Sequence, residues 1–145
     1  GSSRILGTDG RKMSKSYNNY IGLSDEPEDI ARKIQGMFTD PKRIKRSDPG
    51  HPDVCNVHSY YAIFDPQRKK EIDPLCRDAK IGCTDCKKEL AALVVQYLEP
   101  IREKRKALLQ DKKRIYAILE EGRQKAQESA AKTISEVKEL IGMSF

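Results

Sequence analysis

The sequence predicts an all-α fold, a helical bundle of roughly four or five helices preceded by an N-terminal loop. Three observations predict it. Apolar residues recur at steps of three and four, as in Ile30, Ile34, Met37 and Phe38 or Leu90, Val94, Tyr97 and Ile101. No stretch alternates convincingly at period two. Breaks marked by proline or glycine separate the periodic stretches, at Thr39-Asp40-Pro41, at Pro49-Gly50-His51-Pro52 and at Asp65-Pro66. A chain of 145 residues is one domain's worth, long enough to bury a single core.

Residues 7–22 read as loop, because glycines, asparagines and serines follow one another without a period. Ser24 or Asp25 is then placed to cap a helix. Pro27 suits an early helical position, and Glu26 and Glu28 suit the positive end of the helix dipole. That helix is expected to end at Thr39-Asp40-Pro41, and residues 41–52 to form a loop with a basic rim. A second helix is expected from Pro52-Asp53, with Val54, Val57, Tyr61 and Phe64 on one face. Residues 66–82 are polar and short-period, which suggests one or two helical turns ending at Gly82. Thr84 or Asp85 is the expected cap of the next helix, which Pro100 should kink without ending. The last helix is the most regular: Ile115, Leu119, Gly122, Ala126, Ala130, Thr133, Val137 and Leu140 form a seam that reads as core-facing. We divide the chain into residues 1–22, the loop segment, and 23–145, the helical domain.

Composition excludes some roles. A mean hydropathy of −0.72 and 34% charged residues describe a soluble protein. The longest apolar run, Leu90 to Val95, is far too short to span a membrane. The opening Gly1-Ser2-Ser3 reads as a cloning scar or the ragged edge of a cut, so a piece upstream is expected. The net charge of +6 suggests a polyanionic partner. It is clustered: Lys42, Arg43, Lys45 and Arg46 stand against Asp48 alone in residues 41–50. In residues 87–114, nine basic side chains stand against Glu89, Glu99, Glu103 and Asp111. A solvated helix face tolerates that density, and an RNA backbone would suit it better.

Two constellations carry chemistry. The first is Lys12-Met13-Ser14-Lys15-Ser16, preceded by Asp9-Gly10. Two lysines three apart on a loop of small residues can close over a polyphosphate, with backbone N–H groups and ammonium groups meeting its oxygens. The second is Cys55, Cys76, Cys83 and Cys86, spaced C-x20-C-x6-C-x2-C. Four buried free thiols are one reading. A structural zinc site is another, although only one pair of cysteines is close-spaced. A [4Fe–4S] cube, which takes four thiolates from separate segments, is the third. His51 and His58 read as ordinary polar residues. Tyr61 reads as core, although Tyr60 and Tyr61 could stack on an unpaired base.

The KMSKS pentapeptide resembles, letter for letter, the second signature of class I aminoacyl-tRNA synthetases. Leu23-Ser24-Asp25-Glu26-Pro27, Thr39-Asp40, Cys55-Asn56-Val57 and Gly82-Cys83-x-x-Cys86-Lys87 resemble the bacterial tryptophanyl-tRNA synthetases within that class. So does the tail from Ala131 and Thr133 through Val137 to Ile141-Gly142-Met143, which extends the resemblance over nearly the whole chain from Leu6. It implies the C-terminal part of a two-domain enzyme that activates L-tryptophan with ATP and Mg2+ and then esterifies it to tRNA(Trp). The nucleotide-binding sheet and the amino-acid pocket would lie upstream, so residues 1–145 alone should be inactive. Lys12 and Lys15 would be catalytic, and the loop Lys12, Met13, Ser14, Lys15 and Ser16 would bind the pyrophosphate portion of ATP. Met13 would pack the loop against the helical domain, and Asn19 matches an asparagine the family often carries after the signature.

The resemblance also reaches the cysteines. A subset of these synthetases carries a [4Fe–4S] cluster in this domain, with a first interval slightly longer than the one here. It implies Cys55, Cys76, Cys83 and Cys86 as metal ligands, with Zn2+ the alternative. The helical domain would bind the anticodon region of the tRNA. Arg68, Lys69 and Lys70 before Cys76, and Lys87 and Lys88 after Cys86, would present a basic surface there. A cytoplasmic homodimer is the expected form of the full-length protein, with the fragment monomeric. The competing reading is a non-catalytic, metal-containing RNA-binding module that retains KMSKS by descent.

Overall fold

The structure is a computed structural model that describes residues 5–143; the expected scar at residues 1–3 lies outside them. It divides into two compact units, Gly1–Arg102 and Glu103–Phe145. Among the described residues all regular structure is helical, apart from a single antiparallel bridge between Leu6 and Lys12. The all-α expectation holds.

In the first unit α1 runs over Pro27–Gln35, with Pro27 in the first turn and Glu28 and Asp29 at its positive end. Neither expected residue caps it. Glu26 holds the cap position without a side-chain bond. Asp25 instead accepts the Gly22 N–H at 2.8 Å and pairs with Lys33 Nζ at 2.6 Å. The helix stops at Gly36, earlier than Thr39. Met37 is buried in the chain beyond it, whereas Phe38 is 43% exposed.

The expected helix start at Pro52 is a single 3-10 turn, Pro52–Val54, and α2 covers Asn56–Phe64 with the extended Cys55 at its cap. Val54 therefore leaves the predicted face and is exposed, while Tyr60 joins Val57 and Tyr61 in the core. The polar stretch that follows is not one or two turns but a twelve-residue helix, α3, Pro66–Arg77. Asp65-Pro66, which ends α2, also starts α3: the Asp65 carboxylate accepts the Arg68 N–H at 2.8 Å and Pro66 occupies the first turn. Only Ile72 of α3 is buried, so almost no apolar period announces it.

The longest helix of this unit, α4, runs over Cys83–Gln110 and continues through Pro100. Thr84 and Asp85 lie inside its first turn rather than capping it. Its buried face is Cys86, Leu90, Ala91, Val94, Leu98 and Arg102. Beyond Val94 the face advances by four, to Leu98, so Tyr97 and Ile101 are left 60% and 40% exposed. A helix of 3.6 residues per turn permits either step; Leu98 enters the core, while Tyr97 meets the Phe64 ring of α2 edge-on at 5.1 Å from outside it. The core of the unit joins Ile30 and Ile34 of α1, Val57, Tyr60 and Tyr61 of α2, Ile72 of α3, and Leu90 and Val94 of α4.

The second unit holds the end of α4 and α5, Lys112–Leu140, capped by the Asp111 carboxylate on the Arg114 N–H at 3.0 Å. No described residue of α5 is buried. The seam expected to face a core is solvent-exposed, Leu119 at 62% and Leu140 at 86%. Helical periodicity marks a face without specifying what covers it. Pairs one turn apart, Glu120 with Arg123 and Glu121 with Lys125, lace the polar side.

Candidate functional site

Asn19 organises the lysine loop. Its side chain is almost wholly buried, accepts the Ser14 N–H at 2.8 Å, and donates to the Lys12 carbonyl at 3.1 Å and to Asp9 Oδ1 at 2.8 Å. These three bonds close residues 9–19 into one turn-rich loop. The Asn19 amide, followed by the backbone N–H and side chain of Arg11, holds the Asp9 carboxyl down to about 2 despite partial desolvation. Gly7 packs directly on the Asn19 amide, where a β-carbon would collide with it. Ser14 caps a 3-10 turn over Lys15–Tyr17 by accepting the Ser16 N–H at 3.3 Å. Met13 packs against the core, as expected.

Lys12 and Lys15 take no part in this framework with their side chains. Both are exposed, and neither forms an ion pair among the described residues. Arg11, by contrast, is bound to Asp9 at 2.7 Å and lies 4.7 Å above the Tyr17 ring. The sequence thus sorts its adjacent cations: one is spent on the loop's own structure, and two face outward.

All four cysteines, although they come from separate stretches of chain, line one largely apolar pocket with Arg43, His58 and Tyr61. Each is a free thiol, and Cys86 is the most buried. Burial, followed by the neighbouring Cys76, Cys55 and Cys83, pushes the Cys86 thiol up to about 12. Burial also raises Cys55 and Cys76, and the Arg43 guanidinium opposes the rise at Cys76. Gly50 touches Cys76 so closely that a β-carbon would collide with its sulfur, and the Gly50 N–H donates to the Cys76 carbonyl at 3.0 Å.

Sequence reasoning missed Arg43 and His58. Arg43 Nη1 lies 3.8 Å from Cys76 Sγ and 3.9 Å from Cys83 Sγ, while Nη2 donates to the carbonyls of Arg46 and Ile81 at 2.8 and 2.9 Å. Arg43 Nε and His58 Nε2 are buried without a hydrogen-bond partner. Burial, with the nearby Lys69, lowers the His58 pKa. Their one signal in the sequence was Arg43 within a basic cluster, which does not point inward.

Four thiols in one pocket, with a cationic guanidinium facing two of them, are a donor set whose chemistry would suit a thiolate-bound metal group. Among the described residues no group of three or more Cys, His, Asp or Glu side chains is arranged to hold a metal ion.

The predicted RNA-facing cations are placed unequally. Arg68 is held by Glu89 at 2.8 Å and by Glu71 at 3.0 Å, and Lys87 Nζ donates to the Gln35 carbonyl at the end of α1 at 2.9 Å. Lys69, Lys70 and Lys88 form no ion pair among the described residues. Lys45 and Arg46, with the 87%-exposed Ile44, border a cleft that also takes in Cys83 and Thr84. No helix among the described residues is long and apolar enough to cross a membrane.

Residues 4–99 match the model of the family described as tRNA synthetases class I (W and Y), and the chain belongs to that family. It is 42% identical over 142 residues to the tryptophan–tRNA ligase of Aquifex aeolicus, covering 97% of this chain and 36% of the relative. For the tryptophan–tRNA ligase of Thermotoga maritima the identity is 41% over 144 residues, covering 98% and 44%. The fold matches the crystal structure of Campylobacter jejuni tryptophanyl-tRNA synthetase, complexed with ADP and tryptophan, with a TM-score of 0.84 and 30% identity over 97% of this chain and 44% of that one. The chain thus spans less than half the length of these relatives.

Proposed function

We propose that residues 1–145 are the KMSKS-bearing and helical part of a tryptophan–tRNA ligase. The observation that carries this reading is the pair of exposed, unpaired lysines, Lys12 and Lys15, on a loop whose backbone Asn19 ties down. In the reaction the tryptophan carboxylate attacks the α-phosphorus of Mg2+-bound ATP. The bond to the bridging oxygen breaks, and pyrophosphate leaves with the electron pair. Charge grows on that leaving group, and the two ammonium groups with the loop's N–H groups are suited to receive it. The lysines need no deprotonation for this role; they contribute charge and hydrogen bonds. The full-length protein is expected to catalyse ATP–pyrophosphate exchange that depends on tryptophan. Absence of exchange with tryptophan would remove the catalytic reading and leave an RNA-binding module.

The transfer step requires tRNA(Trp), and the helical unit supplies the basic surface for it. The cations without ion pairs, Lys69, Lys70, Lys88, Lys42 and Lys45, are better suited to phosphate contact than Arg68 or Lys87, whose donors are already engaged. Replacing Lys42 and Lys45 together with alanine should weaken tRNA binding most at low salt. The slope of log affinity against log salt should become shallower by about 0.7–0.9 for each phosphate that is no longer neutralised. An unchanged slope would exclude the 41–48 loop from the interface.

For the cysteines we propose a [4Fe–4S] cluster held by Cys55, Cys76, Cys83 and Cys86, which places the chain in the iron–sulfur subset of its family. The gathering of the four thiols in one pocket, with the Arg43 guanidinium beside Cys76 and Cys83, supports this reading, and Zn2+ is the alternative occupant. When bound, such a cluster crosslinks the chain and offers one-electron chemistry. Arg43 would offset its negative charge, and Gly50 leaves room for Cys76. A cytoplasmic homodimer remains our proposal for the full-length enzyme.

A further inference from the structure

We propose that Asn56 and Tyr60 of α2 are positioning residues for adenylate formation, acting through the backbone that leads into the KMSKS loop. Asn56 is 3% exposed and its Nδ2 donates to the Gly7 carbonyl at 2.7 Å. Tyr60 is 2% exposed and its hydroxyl donates to the Leu6 carbonyl at 2.6 Å. Two buried side chains one helical turn apart thus grip consecutive carbonyls of a segment that has no regular structure of its own. Buried polar groups of this kind hold their partners firmly, because breaking the bond leaves both groups unsatisfied away from water.

The grip passes directly to the lysines. Leu6 pairs with Lys12 in the only β-bridge of the described residues, and the Gly7 N–H donates to the Arg11 carbonyl at 2.7 Å. Gly7 also packs on Asn19, whose side chain holds Lys12 and Ser14. Moving residues 6 and 7 therefore moves the backbone from which Lys12 and Lys15 project. Asn56 and Tyr60 are both buried and spend these groups on the Gly7 and Leu6 carbonyls, so neither is a candidate to touch ATP. Their effect is on where the ammonium groups stand when charge develops, and a displacement of about 1 Å can cost about 100-fold in rate.

This inference rests on the proposed adenylation activity, and its test separates the two. Tyr60→Phe removes one hydroxyl and retains the ring, which stacks on Phe64 at a centroid distance of 6.1 Å. Asn56→Ala provides a second variant. In the full-length protein, each should lower kcat for ATP–pyrophosphate exchange by about 10- to 100-fold. KM for ATP and for tryptophan should change by less than about twofold. Trypsin should cut faster after Lys12 and Lys15, and at the assay temperature the protein should remain folded, with the thermal midpoint lowered by no more than a few degrees. Unchanged kcat with unchanged cleavage overturns the proposal. So does a loss of activity that tracks a fall in thermal midpoint, with cleavage spread along the chain. Should the unaltered protein show no exchange, the adenylation reading fails, and cleavage at Lys12 and Lys15 alone decides whether the clamp exists.

Discussion

Replacing Lys15 with alanine in the full-length protein should lower tryptophan-dependent ATP–pyrophosphate exchange by about 100-fold, the loss typical of one preorganised charge donor. Ground-state affinity for ATP should change far less. The reason lies in when the charge is needed. Bound ATP already has its charge balanced by Mg2+ and solvent, whereas the departing pyrophosphate gains charge only as the bond breaks. A group that interacts more strongly with the transition state than with the substrate appears in kcat. The absence of any ion pair at Lys15 among the described residues means that its removal breaks no structural bridge. Pre-steady-state formation of tryptophanyl-adenylate, with ATP binding measured separately, checks the prediction. A large loss of ATP affinity at unchanged turnover would refute it.

The second large effect is expected at the cysteine pocket. Protein prepared without oxygen should be brown and carry about four irons and four acid-labile sulfides per chain. Cys76→Ser should abolish that loading. Among the proposed ligands Cys76 is the one to change because it is only half-buried, whereas Cys86 is a core residue whose carbonyl accepts the Tyr61 hydroxyl at 2.8 Å. A ligand present at a thousand times its dissociation constant stabilises the native state by about 4 kcal/mol. For a unit of this size, that corresponds to a thermal midpoint some 15–30 °C higher. Cys76→Ser should lose that increment, and in metal-free protein the same substitution should shift the midpoint by only a few degrees. One zinc per chain and no colour would replace the cluster with a single-ion site. No metal in either protein would return the cysteines to the core.

Much of this was legible from residue types in order. KMSKS and the four cysteines are local or type-specific signals, Tyr61 fell where its spacing implied, and Met13 packs where the resemblance implied. The harder features were those in which a local signal has two outcomes. Asp65-Pro66 reads as a helix break, yet a carboxylate cap followed by proline also begins a helix, and α3 follows at once. The Leu90–Val94 stripe could continue to Tyr97 or to Leu98, and its own sequence favours neither. The regular seam of α5 promised a core, but periodicity describes one surface of a helix and is silent about its partner. Arg43 lay in a run of cations that looked wholly solvated, and only the return of the chain at Cys76, Ile81 and Cys83 supplied acceptors to draw it inward.

The sequence by itself determined the helical class, the lysine loop and the identity of the four thiols, because each depends on neighbours along the chain or on side-chain chemistry. Tertiary structure alone decided that Cys55, Cys76, Cys83 and Cys86 share one pocket, that Arg68 is neutralised by Glu89, and that Asn56 and Tyr60 hold the carbonyls of Gly7 and Leu6. Those contacts join residues as many as 54 positions apart. No local period or propensity encodes such a pairing. It exists only when the apolar faces of α1, α2 and α4 have closed on one another and buried polar groups must find partners within reach.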